Sequence, residues 1–244
     1  VFVLLSLTPI RSVYFNCNPS FIASFNECLI VETNAEEQPV SVEEPRTRNV
    51  RIQLIVVERF GKIVGVSFVR DNAGNIIYDI NAEGVPLAQE GERIILGDGV
   101  APWSIGWSNN FTFGDFNLNF LIDGKFGGQV FSGTNTIAYG TGLHKATLEG
   151  RENGLTITGI DGATNSTFTT TIAPEDLATY YGRINNIAEH FVEDADYIKF
   201  RELSLGYSLP SEILDRTFLT GATISIIGRN LFYIKRSADN IDPE

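Results

Sequence analysis

The chain has 244 residues and carries 30 acidic against 18 basic side chains, which gives it a formal net charge of −12. This excess of negative charge argues against a nucleic-acid partner, because binding to phosphates requires clustered lysine and arginine. The 17 phenylalanines, 8 tyrosines and 23 glycines favour strands and turns over helices. The sequence contains no run of about 18 apolar residues, so none of it is predicted to form a transmembrane helix.

Residues 1–50 follow no recognisable pattern, and we assign them no element and no function. The apolar residues 1–10 have neither a basic region before them nor a small-residue cleavage site after them, so they do not predict a signal peptide. The acidic, proline-containing stretch that follows is typical of a linker or loop. Cys17 and Cys28 lack the spacing of a zinc site, and whether they form a small disulfide loop stays open.

From residue 51 onward, short apolar runs alternate with turn signals. Residues 52–57 and 61–71 predict strand segments, residues 72–75 (Asn-Ala-Gly-Asn) predict a turn, and residues 76–80 predict a further strand. Glycines and prolines punctuate the chain from there to Pro102, which indicates a small exposed hairpin followed by a loop.

The clearest hairpin comes next. Residues 103–113 are rich in aromatic side chains, Gly114-Asp115 is a tight turn, and residues 116–122 place phenylalanine, leucine and isoleucine on one face against mainly asparagine on the other. Such alternation suits a strand with lipid outside and a wet lumen inside. A soluble sandwich strand with one solvated face is the alternative.

Residues 126–193 form a long segment that is rich in glycine, threonine and asparagine. Its apolar residues are only weakly periodic, apart from a helical pattern over 173–187. Connections of this length are uncommon in compact domains. Short connections after Phe113 and Leu209 alternate with long ones after about Val130 and from Lys235, as in outer-membrane barrels, whose periplasmic turns are short and extracellular loops long. We therefore expect 114–115 and 210–221 to be periplasmic and 133–189 and 239–244 to be extracellular.

The C-terminal part of the chain contains two long alternating strands. In the first, strict alternation places seven residues on one face: Tyr197, Lys199, Arg201, Leu203, Leu205, Tyr207 and Leu209. In the second, it separates Ala222, Ile224, Ile226, Gly228, Asn230 and Phe232 from Thr223, Ser225, Ile227, Arg229, Leu231 and Tyr233. Both runs reach the roughly 9–11 residues with which a tilted strand crosses a membrane.

Three motifs in this region carry a family resemblance: Tyr-Ile-Lys-Phe-Arg-Glu-Leu-Ser-Leu-Gly-Tyr-Ser-Leu-Pro (197–210), Gly-Arg-Asn-Leu-Phe (228–232) and Asp-Pro-Glu (242–244). In order and spacing they resemble the C-terminal barrel region of SusC/RagA-type TonB-linked outer-membrane proteins. The motif residues that we single out are Tyr207, Pro210, Asn230, Leu231, Asp242, Pro243 and Glu244.

The resemblance implies an all-β fold in which residues 51–244 form part of an antiparallel barrel of about 22 strands, with long extracellular loops and the last strand missing. The five or six strands expected here are fewer than the roughly 8 of the smallest barrel. We therefore expect a fragment without the plug or the TonB box.

The resemblance further implies import of oligosaccharides or peptides across a Bacteroidetes-type outer membrane. It implies a SusD-like surface lipoprotein as lid and the TonB–ExbB–ExbD complex as the source of energy, acting through the plug. No cofactor is implied.

Two sets of side chains are candidates for functional positions. Aromatic residues suited to a membrane interface are Trp103, Trp107, Tyr197, Tyr207, Phe232 and Tyr233. Charged residues that would be costly in lipid, and are therefore predicted to face the lumen, are Lys199, Arg201, Glu202 and Arg229. For the tryptophan pair, a sugar-stacking role is the alternative.

No catalytic or metal constellation is predicted. His144 and His190 are far apart in the sequence, adjacent acidic residues lack the separation that glycosidases need, and no Gly-x-Ser-x-Gly or phosphate-binding loop is present. The alternative function is that of a soluble, surface-exposed β-sandwich module that binds glycans without catalysis.

Overall fold

The computed structural model describes residues 2–6, 10–11, 15–31, 38–42, 50–215 and 219–244. The strands in chain order are β1 (Phe2–Ser6), β2 (Ile10–Arg11), β3 (Phe15–Phe25), β4 (Val40–Ser41), β5 (Val50–Leu54), β6 (Lys62–Phe68), β7 (Ile77–Ile80), β8 (Pro86–Ala88), β9 (Glu90–Asp98), β10 (Trp103–Phe113), β11 (Phe116–Phe126), β12 (Gln129–Phe131), β13 (Leu155–Asp161), β14 (Thr167–Ile172), β15 (Val192–Asp194), β16 (Tyr197–Ser208) and β17 (Thr223–Arg236). The helices are α1 (Gly133–Gly140), α2 (Leu177–Ile184) and α3 (Ser211–Leu214), with 3₁₀ turns at Lys145–Leu148, Pro174–Asp176 and Ala188–Phe191.

A seven-stranded sheet organises the molecule. Its strand order is β1-β3-β10-β11-β16-β17, with β2 also paired to β3, and every pairing is antiparallel. The hairpin of β10 and β11 is the one predicted, and Gly114 in its turn has φ of 54°, a conformation that glycine adopts without strain. The prediction of a mainly antiparallel β-structure is confirmed for the described residues.

The strand β3 is an addition to what the sequence pattern predicts. No element is expected before residue 51, whereas β3 pairs with β10 over its whole length and with β1 over Ser20–Ser24. Proline is unfavourable inside a strand, and Pro19 pairs with Asn109 at the middle of β3. This proline and the polar residues beside it hide the strand from an alternation test.

The long connections all leave from one end of the sheet. Residues 26–102 join β3 to β10, residues 127–196 join β11 to β16, and residues 237–244 follow β17. We call this the long-loop end, and the end with the Gly114-Asp115 turn and the 209–222 connection the short-turn end. The predicted alternation of short and long connections is therefore seen after β10, β11 and β16, and residues 26–102 add a second long connection at the same end.

The two long excursions pack against each other into one unit, which we call the loop body. Two four-stranded sheets build it, ordered β4-β5-β6-β9 and β14-β13-β7-β8. β13 comes from the second excursion and pairs in parallel with β7 from the first, with Ile160 opposite Ile77. The buried residues Tyr78, Ile187 and Phe191 hold the two parts together.

Helices play a minor part. The helical pattern predicted over 173–187 corresponds to α2 and the 3₁₀ turn that begins at Pro174. The threonine-rich hairpin of β13 and β14 in the same region was not predicted. None of the helices among the described residues is long and apolar enough to cross a membrane.

Candidate functional site

The main sheet has one apolar face. Directly opposite residues on neighbouring strands point to the same face, so the pairings Trp107–Ile122, Leu118–Leu205 and Leu205–Ile226 carry one apolar surface from β10 to β17. The side chains on this face include Trp103, Ile105, Trp107, Phe111, Phe116, Leu118, Phe120, Ile122, Phe200, Leu203, Leu205, Tyr207, Ile224, Ile226 and Phe232. Ile226 is 76% exposed, Ile224 62% and Leu205 48%. This part of the face is therefore open at the surface of the described chain.

The opposite face is mainly polar. Serine, asparagine and charged residues pair across it, for example Asn119 with Ser204, and Leu121 and Ile227 are apolar residues on the same face. At the long-loop end this face carries Asp123, Lys199 and Arg201. A sheet with one such face and one apolar face suits a wall between water and hydrocarbon.

A β-bulge at Arg201 corrects the predicted faces of β16. Leu121 pairs with Glu202 and Ile122 with Phe200, so Arg201 is an extra residue that interrupts the alternation. The expectation that Leu203, Leu205 and Tyr207 share the face of Lys199 is therefore wrong. They lie on the apolar face with Phe200, and the charged residues are separated from them.

The Gly-Arg-Asn-Leu-Phe motif forms the other half of this irregularity. Phe232 pairs with Phe200 and Arg229 with Glu202, so Asn230 and Leu231 of β17 together lie opposite the single residue Arg201 of β16. Asn230 has φ of 51°, in the left-handed region that asparagine tolerates better than most residues.

The side chains of the motif follow from that backbone. The Asn230 Oδ1 accepts a hydrogen bond of 2.7 Å from Arg201, so Asn230 belongs to the polar face. Leu231 instead fills the space beside Gly228, where a Cβ would lie 2.8 Å from Leu231 Cδ2. Strict alternation predicts Asn230 on the face of Ile226 and Leu231 on the face of Arg229, and the structure shows the opposite assignment.

Arg201 is the centre of a charged cluster on the polar face. Its Nε and Nη2 donate to the two carboxylate oxygens of Asp123 at 2.8 and 2.7 Å, a bidentate geometry that gives strong charge-assisted bonds. Nη1 lies 2.5 Å from Glu244 Oε1 in addition to its bond with Asn230. Lys199, which is 5% exposed, donates to Glu244 Oε2 at 2.7 Å and its ammonium lies over the ring of Tyr233.

The Asp-Pro-Glu motif closes this cluster. The Tyr233 hydroxyl donates a hydrogen bond to Asp242, whose Oδ1 also accepts from the backbone N–H of Glu244. Hydrogen bonds from Lys199 and Arg201 hold the pKa of Glu244 below its ordinary value, and the bond from Tyr233 does the same for the pKa of Asp242. The three motifs therefore meet in one network of hydrogen bonds.

The remaining predicted residues lie at different places. Trp103, Trp107, Tyr207 and Phe232 are on the apolar face, with Trp103 and Tyr207 near opposite strand ends. Tyr197 is 1% exposed and its ring packs edge-on against Tyr233, so these two tyrosines belong to the charged cluster and not to a membrane interface. Glu202 and Arg229 form a separate ion pair of 2.9 Å.

Two prolines complete the predicted set, and the cysteines can be placed as well. Pro210 precedes α3 and accepts from Ile213 N–H, whereas Pro243 borders a cavity under the loop body. Cys17 and Cys28 are free, and the buried Cys17 thiol donates to Asn109. Among the residues that the structure describes, no group of three or more histidine, cysteine or acidic residues is placed to hold a metal ion.

The five long strands of the main sheet, β3, β10, β11, β16 and β17, have 11 to 14 residues each. Their length, their two faces of different polarity and the placement of the long connections at one end are features of the strands of outer-membrane barrel proteins.

Comparisons with known proteins agree with this class. No family model matches the chain. Its fold is similar to solved structures of the RagAB peptide importer in the open-open state, with a TM-score of 0.58, 14% identity, and coverage of 99% of this chain and 25% of that one, and of the RagAB peptide transporter, with a TM-score of 0.55, 13% identity, and coverage of 96% and 25%.

Two curated relatives match in sequence. TonB-dependent receptor P3 of Formosa agariphila is 25% identical over 161 residues, which cover 66% of this chain and 14% of the relative. TonB-dependent receptor P39 of the same organism is 25% identical over 168 residues, which cover 65% and 15%. The predicted resemblance to SusC/RagA-type TonB-linked proteins is confirmed, and the chain spans about one seventh of the length of these relatives.

Proposed function

We propose that this chain forms part of the barrel wall and the extracellular loops of a TonB-dependent outer-membrane importer. The observation that carries the proposal is the main sheet, whose apolar face leaves Ile224 and Ile226 uncovered while its other face bears a hydrogen-bonded cluster of charges around the buried Lys199. An apolar face toward lipid and a polar face toward a lumen satisfy both surfaces at once. In this reading Lys199, Arg201, Glu202 and Arg229 face the lumen.

The rest of the barrel lies outside this chain. The two edges of the main sheet, β1 and β17, would each pair with a further strand of the complete transporter, because unpaired strand edges invite association. Outer-membrane lipid then contacts the apolar face, and the loop body projects from the cell surface.

The substrate and the partners follow from the same proposal. The importer takes up oligosaccharides or peptides, is capped by a SusD-like lipoprotein, and is energised by TonB–ExbB–ExbD through its plug. The structural similarity to RagAB supports the choice of a transporter that is paired with a lipoprotein. Co-purification of a lipoprotein with the affinity-tagged transporter tests this partner, and purification of the transporter alone under the same mild detergent would contradict it.

Cysteine labelling tests the proposed topology. In the complete transporter with Cys17 and Cys28 replaced by serine, we would introduce Ala163→Cys in the loop body or Asp115→Cys in the short turn, both at exposed positions. A membrane-impermeant maleimide should label the first in intact cells, and the second only after the outer membrane is permeabilised. Labelling of Asp115→Cys in intact cells, or recovery of the protein in the soluble fraction, would overturn the proposal in favour of a soluble glycan-binding module.

A further inference from the structure

The residues that follow β17 contact both the loop body and the main sheet, and we call residues 237–244 the strap. At its start, the backbone N–H of Ser237 donates to the carbonyl of Asp196 at 3.0 Å. Further along, the strap contacts α1 of the loop body and then returns to β16 on the polar face. It is therefore a physical route between the sheet and the loops at its end.

One buried asparagine holds the strap at the loop body. Asn135 on α1 is 4% exposed, and its Nδ2 donates to Glu193 Oε1 at 2.6 Å and to the carbonyl of Asp239 at 3.3 Å. The other carboxylate oxygen of Glu193 accepts from the Asp239 N–H at 2.8 Å. The Asn240 Nδ2 donates to Asn135 Oδ1 at 3.3 Å. Because a buried amide that loses its partners is costly, α1 favours the position in which the strap lies against it.

One carboxylate holds the strap at the sheet. Glu244 Oε2 accepts from the Lys199 ammonium at 2.7 Å, and Glu244 Oε1 lies 2.5 Å from Arg201 Nη1. Arg201 has a second carboxylate partner in Asp123. For Lys199, Glu244 supplies the only carboxylate within ion-pair distance among the residues that the structure describes. Lys199 is 5% exposed, and an ammonium left buried without a counter-charge is strongly destabilising. This pairing therefore favours the docked strap.

The strap has little conformational freedom between these two ends. Only residues 241–243 separate Asn240 from Glu244, and the ring of Pro243 fixes its own φ. Asp242 accepts hydrogen bonds from the Tyr233 hydroxyl and, at 3.1 Å, from the Glu244 N–H. A segment with so few free torsions transmits a displacement from one end to the other.

The sheet end of the strap has room to open. A cavity of about 500 Å³ lies beside it, and Pro243 and Glu244 line this cavity together with Lys125 and residues 99–101 and 128–130. The Glu244 side chain is 36% exposed. Its carboxylate can therefore move away from the two cations into this space without disturbing the strands of the sheet.

We propose that the strap is a latch, in which the ion pairs of Glu244 with Lys199 and Arg201 hold the loop body in its observed position at the end of the polar face. The two ends of the latch act cooperatively: release of Glu244 from the cations also releases Asn240 from α1, and the reverse. The latch requires only the contacts described above. Its role in a transporter, where it couples the loop body to the lumen wall, rests on the proposed function.

Hydrogen exchange of the complete transporter in detergent, measured by mass spectrometry, tests whether one end of the strap acts on the other. Glu244→Gln keeps the size of the side chain and removes its charge. The matched control is Glu202→Gln, which removes the ion pair of 2.9 Å with Arg229 and leaves the contacts of the strap in place. We expect the amides of α1 to exchange about tenfold faster in Glu244→Gln, the factor that loss of one charge-assisted bond produces, and at an unchanged rate in Glu202→Gln. Faster exchange confined to β16 and β17 would indicate a merely local role and would overturn the proposal.

A double-mutant cycle then measures the cooperativity of the two ends. Asn240→Gly removes the amide at the loop-body end, and the φ of 59° at this position suits glycine. Each single variant should shift the unfolding equilibrium in urea by about tenfold. The double variant should shift it little further, because a strap freed at one end is already free at the other.

Additive shifts, which amount to about a hundredfold in the double variant, would show that the two ends are independent and would overturn the latch, as would the absence of a shift in both single variants. The cysteine-labelling experiment reports on membrane topology independently. A correctly inserted transporter with additive shifts therefore refutes the latch and leaves the transport function standing.

Discussion

Replacing Leu203 with arginine tests which face of the main sheet contacts hydrocarbon. Leu203 lies midway along β16 on the apolar face, and the adjacent Ser204 lies on the polar face opposite Asn119. Leu203→Arg and Ser204→Arg therefore add the same side chain at neighbouring positions that point in opposite directions. The pair separates the effect of the face from the effect of the arginine.

The expected difference is large. An arginine at the lipid-facing midplane of a barrel costs about 2–4 kcal/mol, which changes the folding equilibrium by roughly 30- to 900-fold. If the face were simply exposed to water, the effect would be small, because Leu203 is already 38% exposed and surface substitutions usually stay within about 0.5 kcal/mol. Ser204→Arg should cost little, since its side chain points to the wet face.

The assay is urea unfolding of the complete transporter in phospholipid vesicles, with the folded fraction measured by its resistance to heat in electrophoresis. A small effect of both variants would refute the lipid-facing assignment. A greater cost for Ser204→Arg than for Leu203→Arg would refute the bulge at Arg201, because strict alternation along β16 reverses the two faces.

Three further predictions concern the charged cluster and the close packing of the sheet. The pKa of Glu244 lies below its ordinary value of 4.5, so the ionised carboxylate stabilises the fold at neutral pH, and this contribution is lost as the pH falls through the lowered pKa. Glu244→Gln should therefore lower the urea midpoint at pH 7 and make stability depend less on pH in acid. An unchanged urea midpoint at pH 7 and in acid would contradict this. Asn230→Ala should lower the free energy of unfolding by about 1–2 kcal/mol, because alanine at positive φ is strained and the hydrogen bond to Arg201 is lost. Asn230→Gly should recover the part of this loss that is due to strain. Equal urea midpoints for the two variants would argue against a left-handed conformation at residue 230. Gly124→Ala should lower the free energy of unfolding by about 1–3 kcal/mol, because its Cβ would lie 2.7 Å from the Tyr197 carbonyl oxygen. Gly106→Ala is the control, because no atom lies within 4 Å of a Cβ at that position. Equal effects of the two variants would show that the sheet relaxes around residue 124.

The part of the fold that sequence could predict is the part that obeys simple alternation. β10, β11 and β16 were placed to within a few residues because apolar and polar side chains alternate and Gly114-Asp115 supplies an unmistakable turn. The β13–β14 hairpin does alternate, with Leu155 and Ile157 on its packed face and Thr156 on its exposed face, where Thr156 and Thr171 pair by a hydrogen bond. Its strands have only 7 and 6 residues, and the surrounding glycines favour the interpretation of this segment as a loop.

The candidate site was predicted less well than the strands that hold it. Lys199 and Arg201 were recognised as costly in lipid, but strict alternation placed them beside Leu203 and Leu205, a conflict that the bulge resolves. That conflict was itself a signal, since a charge and a large apolar residue rarely share one lipid-facing row. The packing of His144 and His190 around Tyr139 in the loop body gave no signal, because the two histidines lie 46 positions apart in the printed sequence.

The residues after β17 connect these two regions physically. Asn240 reaches Asn135 in the loop body, and Glu244 reaches Lys199 and Arg201 on the sheet. A segment tied at both ends restricts how the loop body can sit above the polar face, because any large displacement must break either an amide contact or a charge-assisted pair. The Asp-Pro-Glu motif therefore acts as an anchor. Asp242 fixes the turn against Tyr233, and Glu244 joins that turn to the buried Lys199 and the half-buried Arg201 on the polar face.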